Sequence, residues 1–139
     1  MAVAGVTIKP GVNRVMRNLK RDGTAFIKSV ALQAASDFIE LTPVDTGVAR
    51  ANWQVGVGVR PAVPDITEDQ TSPTTAGPDA IARAAAVIAR YRLGLVIFIE
   101  NRVPYIVILD QGSSSQAPSG MSSIVLARLV AKGVRVTAL

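Results

Sequence analysis

The sequence contains neither cysteine nor histidine. Without cysteine, the chain has no disulfide framework and no thiolate metal site. Without histidine, it lacks the commonest general base, the commonest zinc ligand and the base of every Ser–His or Cys–His nucleophile pair. Carboxylate and lysine chemistry remain possible. We nevertheless expect no metal site, no cofactor, no small-molecule substrate and no enzymatic activity.

Charged residues are also scarce. They make up 18% of the chain, whereas apolar residues make up 49%, so the charged share is below that of ordinary soluble proteins and the apolar share is at the top of their range. Because large exposed apolar patches are uncommon on monomers, we expect part of the surface to be buried against other copies of the chain.

Long apolar runs are missing as well. No run approaches the roughly 18 to 20 residues that a membrane-spanning helix needs, and the start of the chain has no basic region ahead of an apolar segment, as a signal peptide would. We therefore expect a soluble intracellular product that contacts no membrane. With 139 residues, the chain is long enough for one domain with one core.

The net charge of +5 is unevenly distributed. Residues 1–28 carry six basic side chains and one acidic side chain, Asp22, whereas the remainder of the chain carries nine of each sign. The six basic residues are Lys9, Arg14, Arg17, Lys20, Arg21 and Lys28. We interpret residues 1–24 as a basic N-terminal arm or short helix, which fits nucleic acid, an acidic protein partner or simply a solvated helix face. The candidates for contact with a DNA channel or an acidic partner are Arg14, Arg17, Lys20 and Arg21.

The first half of the chain predicts a long helix and then a strand. Residues 1–12 are expected to be extended or loose, and a helical pattern begins near residue 13 with an interruption at Asp22 and Gly23. An apolar stripe with helical spacing follows, which consists of Ile27, Ala31, Ala34, Phe38 and Leu41. The helix must end by Thr42 because Pro43 disfavours helical geometry in the residue before it. Alternating β-branched residues then predict a half-buried strand over residues 53–60.

The second half predicts a loop, a helix, a buried strand and a last helix. Residues 61–79 are proline-rich and predict a loosely packed loop. Asp79 is expected to cap a helix that runs to about residue 92 and closes at Gly94. Residues 95–101 predict a strand buried on both faces, residues 106–110 a short strand or helix, and residues from 119 onward a helix whose tail, "VRVTAL", either prolongs it or pairs as a strand.

These elements predict an α+β fold: a small mixed β-sheet flanked by a long N-terminal helix and a C-terminal helix. We expect residues 25–139 to form the single domain. Two patterns within this domain do not predict a catalytic or ligand-binding site. The stretch "GSSSQAPSG" lacks the Lys-Ser/Thr ending of a phosphate loop, and Glu100 and Asp110 stand at element boundaries, where acids commonly act as caps.

The stretch "TPVDTGVARANW", residues 42–53, predicts a specific corner between the long helix and the sheet. Pro43 sets the entry of the chain and Asp45 is expected to accept backbone N–H bonds. The remaining expectations are a positive φ at Gly47 after Thr46, a charge-assisted hydrogen bond from Arg50 to Asp45, and burial of the Trp53 ring.

Three motifs occur in an order and spacing that resemble the minor tail and tail-completion (neck) protein family of long-tailed bacteriophages, over roughly residues 25–135. The first is the corner with Arg50 and Trp53. The second is Asn101 with Pro104 and Tyr105. The third consists of Gly112, Gln116, Ala117, Pro118, Gly120 and Met121.

This resemblance implies a non-enzymatic structural protein of the virion. Members of the family complete the upper end of the tail and join it to the head connector. The resemblance thus implies a homo-oligomeric ring, commonly sixfold, assembled in the host cytoplasm. Its partners would be a tail-terminator or tail-tube protein and a head-connector protein, and genome DNA would pass non-specifically through the channel. The first two motifs are expected to be structural, and the third, together with the proline-rich loop, is the candidate for contact with neighbouring subunits.

Overall fold

The structure is a computed structural model that describes residues 3–8 and 20–138. Arg14 and Arg17, two candidates for contact with DNA or an acidic partner, lie outside the described residues. For the other two, Lys20 and Arg21, only the backbone is described.

The described strands form one four-stranded sheet. They are β1 (Ala4–Ile8), β2 (Gln54–Val57), β3 (Ile97–Asn101) and β4 (Val136–Ala138), arranged in the order β2-β3-β1-β4. All three pairings are antiparallel, so the sheet is antiparallel and not mixed as the sequence predicted. The predicted α+β class is confirmed.

Strand β1 corrects the predicted domain boundary. The sequence placed residues 1–24 in an arm outside the domain, but Ala4–Ile8 lies inside the sheet between β3 and β4. Val6 and Ile8 are fully buried. Their alternation with Gly5 and Thr7 is too short to predict a strand by itself, and the strand forms because partners from distant parts of the chain satisfy both of its edges.

Five helices are described: α1 (Lys20–Leu41), α2 (Val48–Ala51), α3 (Pro78–Ile88), α4 (Ile106–Asp110) and α5 (Ser122–Ala131). Helix α1 continues through Asp22 and Gly23 without the predicted interruption, and it ends before Thr42 as predicted. It packs against α3 and α5, while α3 packs on β2 and α5 on β1. The buried face of α1 is wider than the predicted stripe, since Val30 and Ile39 are buried too.

Several predicted boundaries shift. Helix α3 begins at Pro78. Proline suits this first position because its missing N–H would have no helical partner there. Asp79 therefore lies in the first turn and is not the cap. The helix ends at Ile88, and Gly94 instead adopts its positive φ in the turn before β3. The short segment at residues 106–110 is a helix, and the chain's tail pairs as β4.

Strand β3 is buried on both faces as predicted, but its second face is partly charged. The Glu100 side chain is 1% exposed, and its Oε2 accepts a hydrogen bond from Arg60 Nε at 2.8 Å and lies 2.6 Å from Arg60 Nη2. Arg102 Nε lies 4.0 Å from Oε1 of the same carboxylate. Glu100 is therefore a buried carboxylate paired with two partly exposed arginines and not a cap at the end of the strand.

The proline-rich loop is more ordered than predicted. It contains a 3-10 helix, Glu68–Gln70, which begins with a capping box. The Asn52 side chain is buried and bonds both the N–H and the carbonyl of Ile66 at 2.7 and 2.8 Å. Ala76 is buried near the end of the loop. These contacts place the 3-10 helix beside the corner.

Candidate functional site

The corner begins where α1 ends, and Arg50 satisfies the last carbonyls of that helix. Its Nη2 donates to Glu40 O at 3.0 Å and to Thr42 O at 2.8 Å, and its Nε donates to Thr42 O at 3.2 Å. The predicted bond from Arg50 to Asp45 is therefore wrong. The terminal carbonyls of a helix lack helical partners and carry partial negative charge, so they attract the guanidinium. Burial lowers the pKa of Arg50, an effect opposed by the Glu40 carboxylate, but a guanidinium remains charged at any physiological pH.

Trp53 connects the corner to the core as predicted. Its side chain is buried, and its ring stacks on Phe38 of α1 with centroids 4.2 Å apart. The indole Nε1 donates to Thr42 Oγ1 at 2.7 Å, and this hydroxyl donates to the carbonyl of Phe38. Each polar group that this contact buries thus has a partner, as buried polar groups require.

The structure corrects the role of Asp45. Its side chain is exposed and accepts no hydrogen bond from any residue that the structure describes. The hydroxyl of Thr46 instead accepts from Val48 N at 3.4 Å. Gly47 adopts the predicted positive φ, 91°. The carboxylate of Asp45 therefore does not stabilise the turn by the backbone hydrogen bonds that were predicted.

Asn101 joins the end of β3 to the corner. It is fully buried, its Nδ2 donates to Ala49 O at 2.7 Å, and its Oδ1 accepts from Val103 N at 3.1 Å. These two bonds fix the turn that follows β3, in which Pro104 and Tyr105 are exposed. The second motif thus lies beside the first.

Gln116 brings the third motif to the same place. Its Nε2 donates to Val44 O and its Oε1 accepts from Val44 N, both at 3.0 Å. The side chain therefore pairs with the backbone of the corner in both directions, across a separation of 72 residues.

The other members of the third motif divide into core and surface residues. Ala117 and Met121 are buried, so they pack in the core and are not available to a neighbouring subunit. Gly120 is buried as well and Gly112 half-buried, while Pro118 is exposed. Asp110 caps α5 by accepting from Met121 N and Ser122 N at 3.0 and 2.7 Å, which agrees with its predicted role as a cap.

The three motifs and the 3-10 helix surround a cleft of about 650 Å³. Its walls include the exposed apolar surfaces of Val44 and Tyr105, together with Leu109 of α4. The Tyr105 side chain is 42% exposed, so part of its ring is available to a partner. The cleft therefore offers apolar surface and hydrogen-bonding groups to a ligand or partner.

The cleft is acidic. Asp45 and Glu68 line it, and neither carboxylate has a hydrogen bond or ion pair with another side chain in the described part of the chain. Burial raises the pKa of the Tyr105 phenol, and the negative charges of Asp45 and Glu68 raise it further. No lining side chain among those described is basic. The cleft thus favours a positively charged occupant.

A second groove, of about 400 Å³, lies between α1 and α5. It is mostly apolar, and its charged residues include Asp37 and Arg128, which form an ion pair at 3.1 Å. Because these two charges are already paired, they give a partner less to recognise than the free carboxylates of the first cleft.

Sequence reasoning assigned no side-chain role to three residues of the site: Thr42, Asn52 and Glu68. A hydroxyl residue four positions after a buried helical residue can bond the carbonyl of that residue, so the spacing of Phe38 and Thr42 was a usable signal. Asn52 gave none because its partner Ile66 lies in the proline-rich loop, and Glu68 gave none because only tertiary packing brings it to the cleft.

Within residues 3–8 and 20–138, no cluster of three or more potential ligand residues is arranged to hold a metal ion. Over the same residues, no helix combines the length and apolar character that crossing a membrane requires. Comparisons with protein-family models, with curated proteins and with solved structures found no match to this chain.

Proposed function

We propose that this chain is a structural subunit of a bacteriophage neck. In this proposal it forms a homo-oligomeric ring, commonly sixfold in the family that its motifs resemble, at the upper end of the tail. The ring joins a tail-terminator or tail-tube protein to the head connector. Genome DNA passes through the channel, and the protein is non-enzymatic and resides in the virion after assembly in the host cytoplasm.

The observation that carries this proposal is that the three resemblance motifs meet on one surface. They are spread over residues 42–121, yet Asn101 and Gln116 each bond the backbone of the first motif. Around them lies a cleft with exposed apolar side chains and two unpaired carboxylates. Such a combination is typical of a surface that contacts another macromolecule.

A second candidate function is non-specific nucleic-acid binding through the basic N-terminal segment. The observation in its favour is the charge excess of residues 1–28, which accounts for the whole net charge of the chain. DNA-binding surfaces commonly add aromatic or polar readers to such charge. Residues 1–25 contain no aromatic residue and only two asparagines, Asn13 and Asn18, so we rank this function second.

The test is the mass of the purified chain in solution, measured by light scattering, first alone and then after mixing with isolated phage tails. A ring, or a monomer that forms a ring on tails, supports the proposal and gives the symmetry. A monomer that ignores tails and binds duplex DNA, with affinity that falls steeply as salt rises, would replace it with the nucleic-acid function.

A further inference from the structure

The two ends of the molecule differ in charge. The acidic cleft lies at the end where α1 and β3 both terminate, since Arg50 bonds the last carbonyls of α1 and Asn101 bonds Ala49. Ile8 lies at the opposite end of the sheet, because it pairs with Ile97 at the start of β3. Lys28 bonds the carbonyl of Ala89 ahead of β3, so the early part of α1 lies at this second end too.

The basic segment, residues 9–21, lies in sequence between Ile8 and helix α1, and both Ile8 and the start of α1 are at the end away from the cleft. Residues 9–19 connect Ile8 to Lys20, so both attachment points of the segment are at that end. Helix α1 has 22 residues and is therefore about 33 Å long. The eleven linking residues span at most about 40 Å when fully extended, which is too short to reach the cleft of the same chain and return.

We propose that the basic segment of one copy binds the acidic cleft of the next copy, so that copies join head to tail. This inference rests on the proposed ring and names its contact. Arg14 and Arg17, together with Lys20 and Arg21, supply the positive charge, and the carboxylates of Asp45 and Glu68 receive it. Tyr105 and Val44 offer apolar surface to the stems of these long side chains.

A head-to-tail contact between two different patches is heterologous, and such contacts close into rings when the rotation between subunits allows. In a two-fold dimer the same two patches would meet twice, with the segment of each copy in the cleft of the other. The mass of the assembly distinguishes the two arrangements, because the proposed ring requires a mass above that of two chains.

The decisive experiment reverses the charges on each side and then on both. The variants are Arg14→Glu/Arg17→Glu, Asp45→Lys/Glu68→Lys and a chain carrying all four changes. Their masses are measured by light scattering after size-exclusion chromatography at low salt. We expect each double variant to fall from the ring mass to the mass of a single chain, and the fourfold variant to regain the ring mass because opposite charges face each other again.

Two matched controls carry the same charge changes elsewhere. Asp65→Lys/Asp79→Lys alters exposed acids outside the cleft, and Lys132→Glu/Arg135→Glu alters exposed basic residues outside the segment. Both are expected to keep the ring mass. Circular dichroism melts of every variant show that the chains are folded. Folded charge-reversal variants that keep the ring mass, or a fourfold variant that stays monomeric, would overturn the inference and leave the proposed ring intact.

A second measurement reports on the contact even if rings form only on tails. A fluorescent peptide with the sequence of residues 9–21 is titrated with the full-length protein, and anisotropy is recorded. We expect binding to the wild-type chain and to Asp65→Lys/Asp79→Lys, and at least tenfold weaker binding to Asp45→Lys/Glu68→Lys. Equal binding to all three would overturn the inference. A segment reversal that abolishes duplex DNA binding but leaves the ring mass unchanged would do so as well.

Discussion

At the scale of single residues, Trp53 and Thr42 join the corner to helix α1. The indole ring stacks on Phe38 and its N–H is bonded to the Thr42 hydroxyl, which in turn bonds the carbonyl of Phe38. One side chain thus links the end of α1 to the start of β2 through both dispersion and hydrogen bonds.

Replacing Trp53 with alanine tests this arrangement. The buried ring leaves a cavity, so Trp53→Ala is expected to lower the free energy of unfolding by roughly 3 to 5 kcal/mol. Trp53→Phe retains an aromatic ring but loses the N–H, and should cost less. Urea unfolding followed by circular dichroism measures both, since Trp53 is the only tryptophan and its fluorescence is lost. Equal effects of the two substitutions would contradict the packing role.

Asp45 and Asp110 offer a comparison between a free carboxylate and a capping one. Asp110 accepts two N–H bonds at the start of α5, so Asp110→Ala is expected to cost about 0.5 to 2 kcal/mol of unfolding free energy. Asp45→Ala is expected to change it by less than about 0.5 kcal/mol. The measurement is again urea unfolding. A loss at Asp45 as large as that at Asp110 would mean that Asp45 stabilises its own chain.

The pKa of Tyr105 tests the electrostatics of the cleft. In a Tyr91→Phe background, phenolate absorbance reports Tyr105 alone, and Asp45→Asn/Glu68→Gln is expected to lower its pKa toward the ordinary value of about 10 while leaving the part due to burial. Because the pKa of Tyr105 is higher in the folded than in the unfolded chain, the protonated phenol contributes to the free energy of unfolding, and this contribution is complete below the ordinary pKa. It is lost as pH rises through the folded-state value. An unchanged pKa would mean that the carboxylates do not act on the phenol.

At the scale of elements, the turn between α4 and α5 depends on a close approach of two backbones. Gly120 has φ 72°, and a Cβ at this position would lie 1.9 Å from Asp110 O. Any side chain would therefore push Asp110 away from the N–H groups that it caps. This turn also carries Gln116, so its geometry controls how the third motif meets the corner.

Gly120→Ala and Gly133→Ala separate backbone strain from close approach. Gly133 has a nearly equal φ, 76°, but no atom within 4 Å of the Cβ position. Gly133→Ala is expected to cost only the left-handed strain, roughly 1 to 2 kcal/mol. Gly120→Ala should cost clearly more because it adds the collision. Thermal melts of the two variants give the comparison, and equal losses would rule out the collision as a cause.

At the scale of the whole molecule, helix α1 separates two surfaces of opposite charge. The basic segment precedes the start of α1 and the acidic cleft lies near the other end of this helix, which is about 33 Å long by its helical rise. A molecule with this asymmetry is suited to directional assembly, whereas a symmetric distribution of charge would not distinguish its two ends.

The charge asymmetry predicts that subunit association depends on ionic strength. Raising the ionic strength from about 0.1 M to about 1 M shortens the Debye length from roughly 10 Å to 3 Å, so subunit association through the segment and the cleft should weaken. Light scattering over a concentration series measures the association at each ionic strength. The mass of Asp45→Lys/Glu68→Lys should not depend on the ionic strength. Wild-type association that strengthens with salt would indicate that apolar contacts dominate the interface.

The sequence by itself determined the local features of this protein. Pro43 ends α1 because it disfavours a helical residue before it, Gly47 provides the positive φ, the apolar periodicity predicts the buried face of α1, and the charge excess follows from the count of side chains. The α+β class followed from these local patterns. Each of these properties depends on residues that are neighbours along the chain.

Only the tertiary structure showed that β1 lies inside the sheet, that Arg50 bonds the end of α1 in place of Asp45, and that Gln116 pairs with Val44. It alone brought Asp45 and Glu68 to the same cleft as Tyr105. These arrangements depend on distances and angles between residues far apart in sequence. They arise from the packing of helices on the sheet and from the need of each buried polar group for a partner, and no local pattern of residues specifies either.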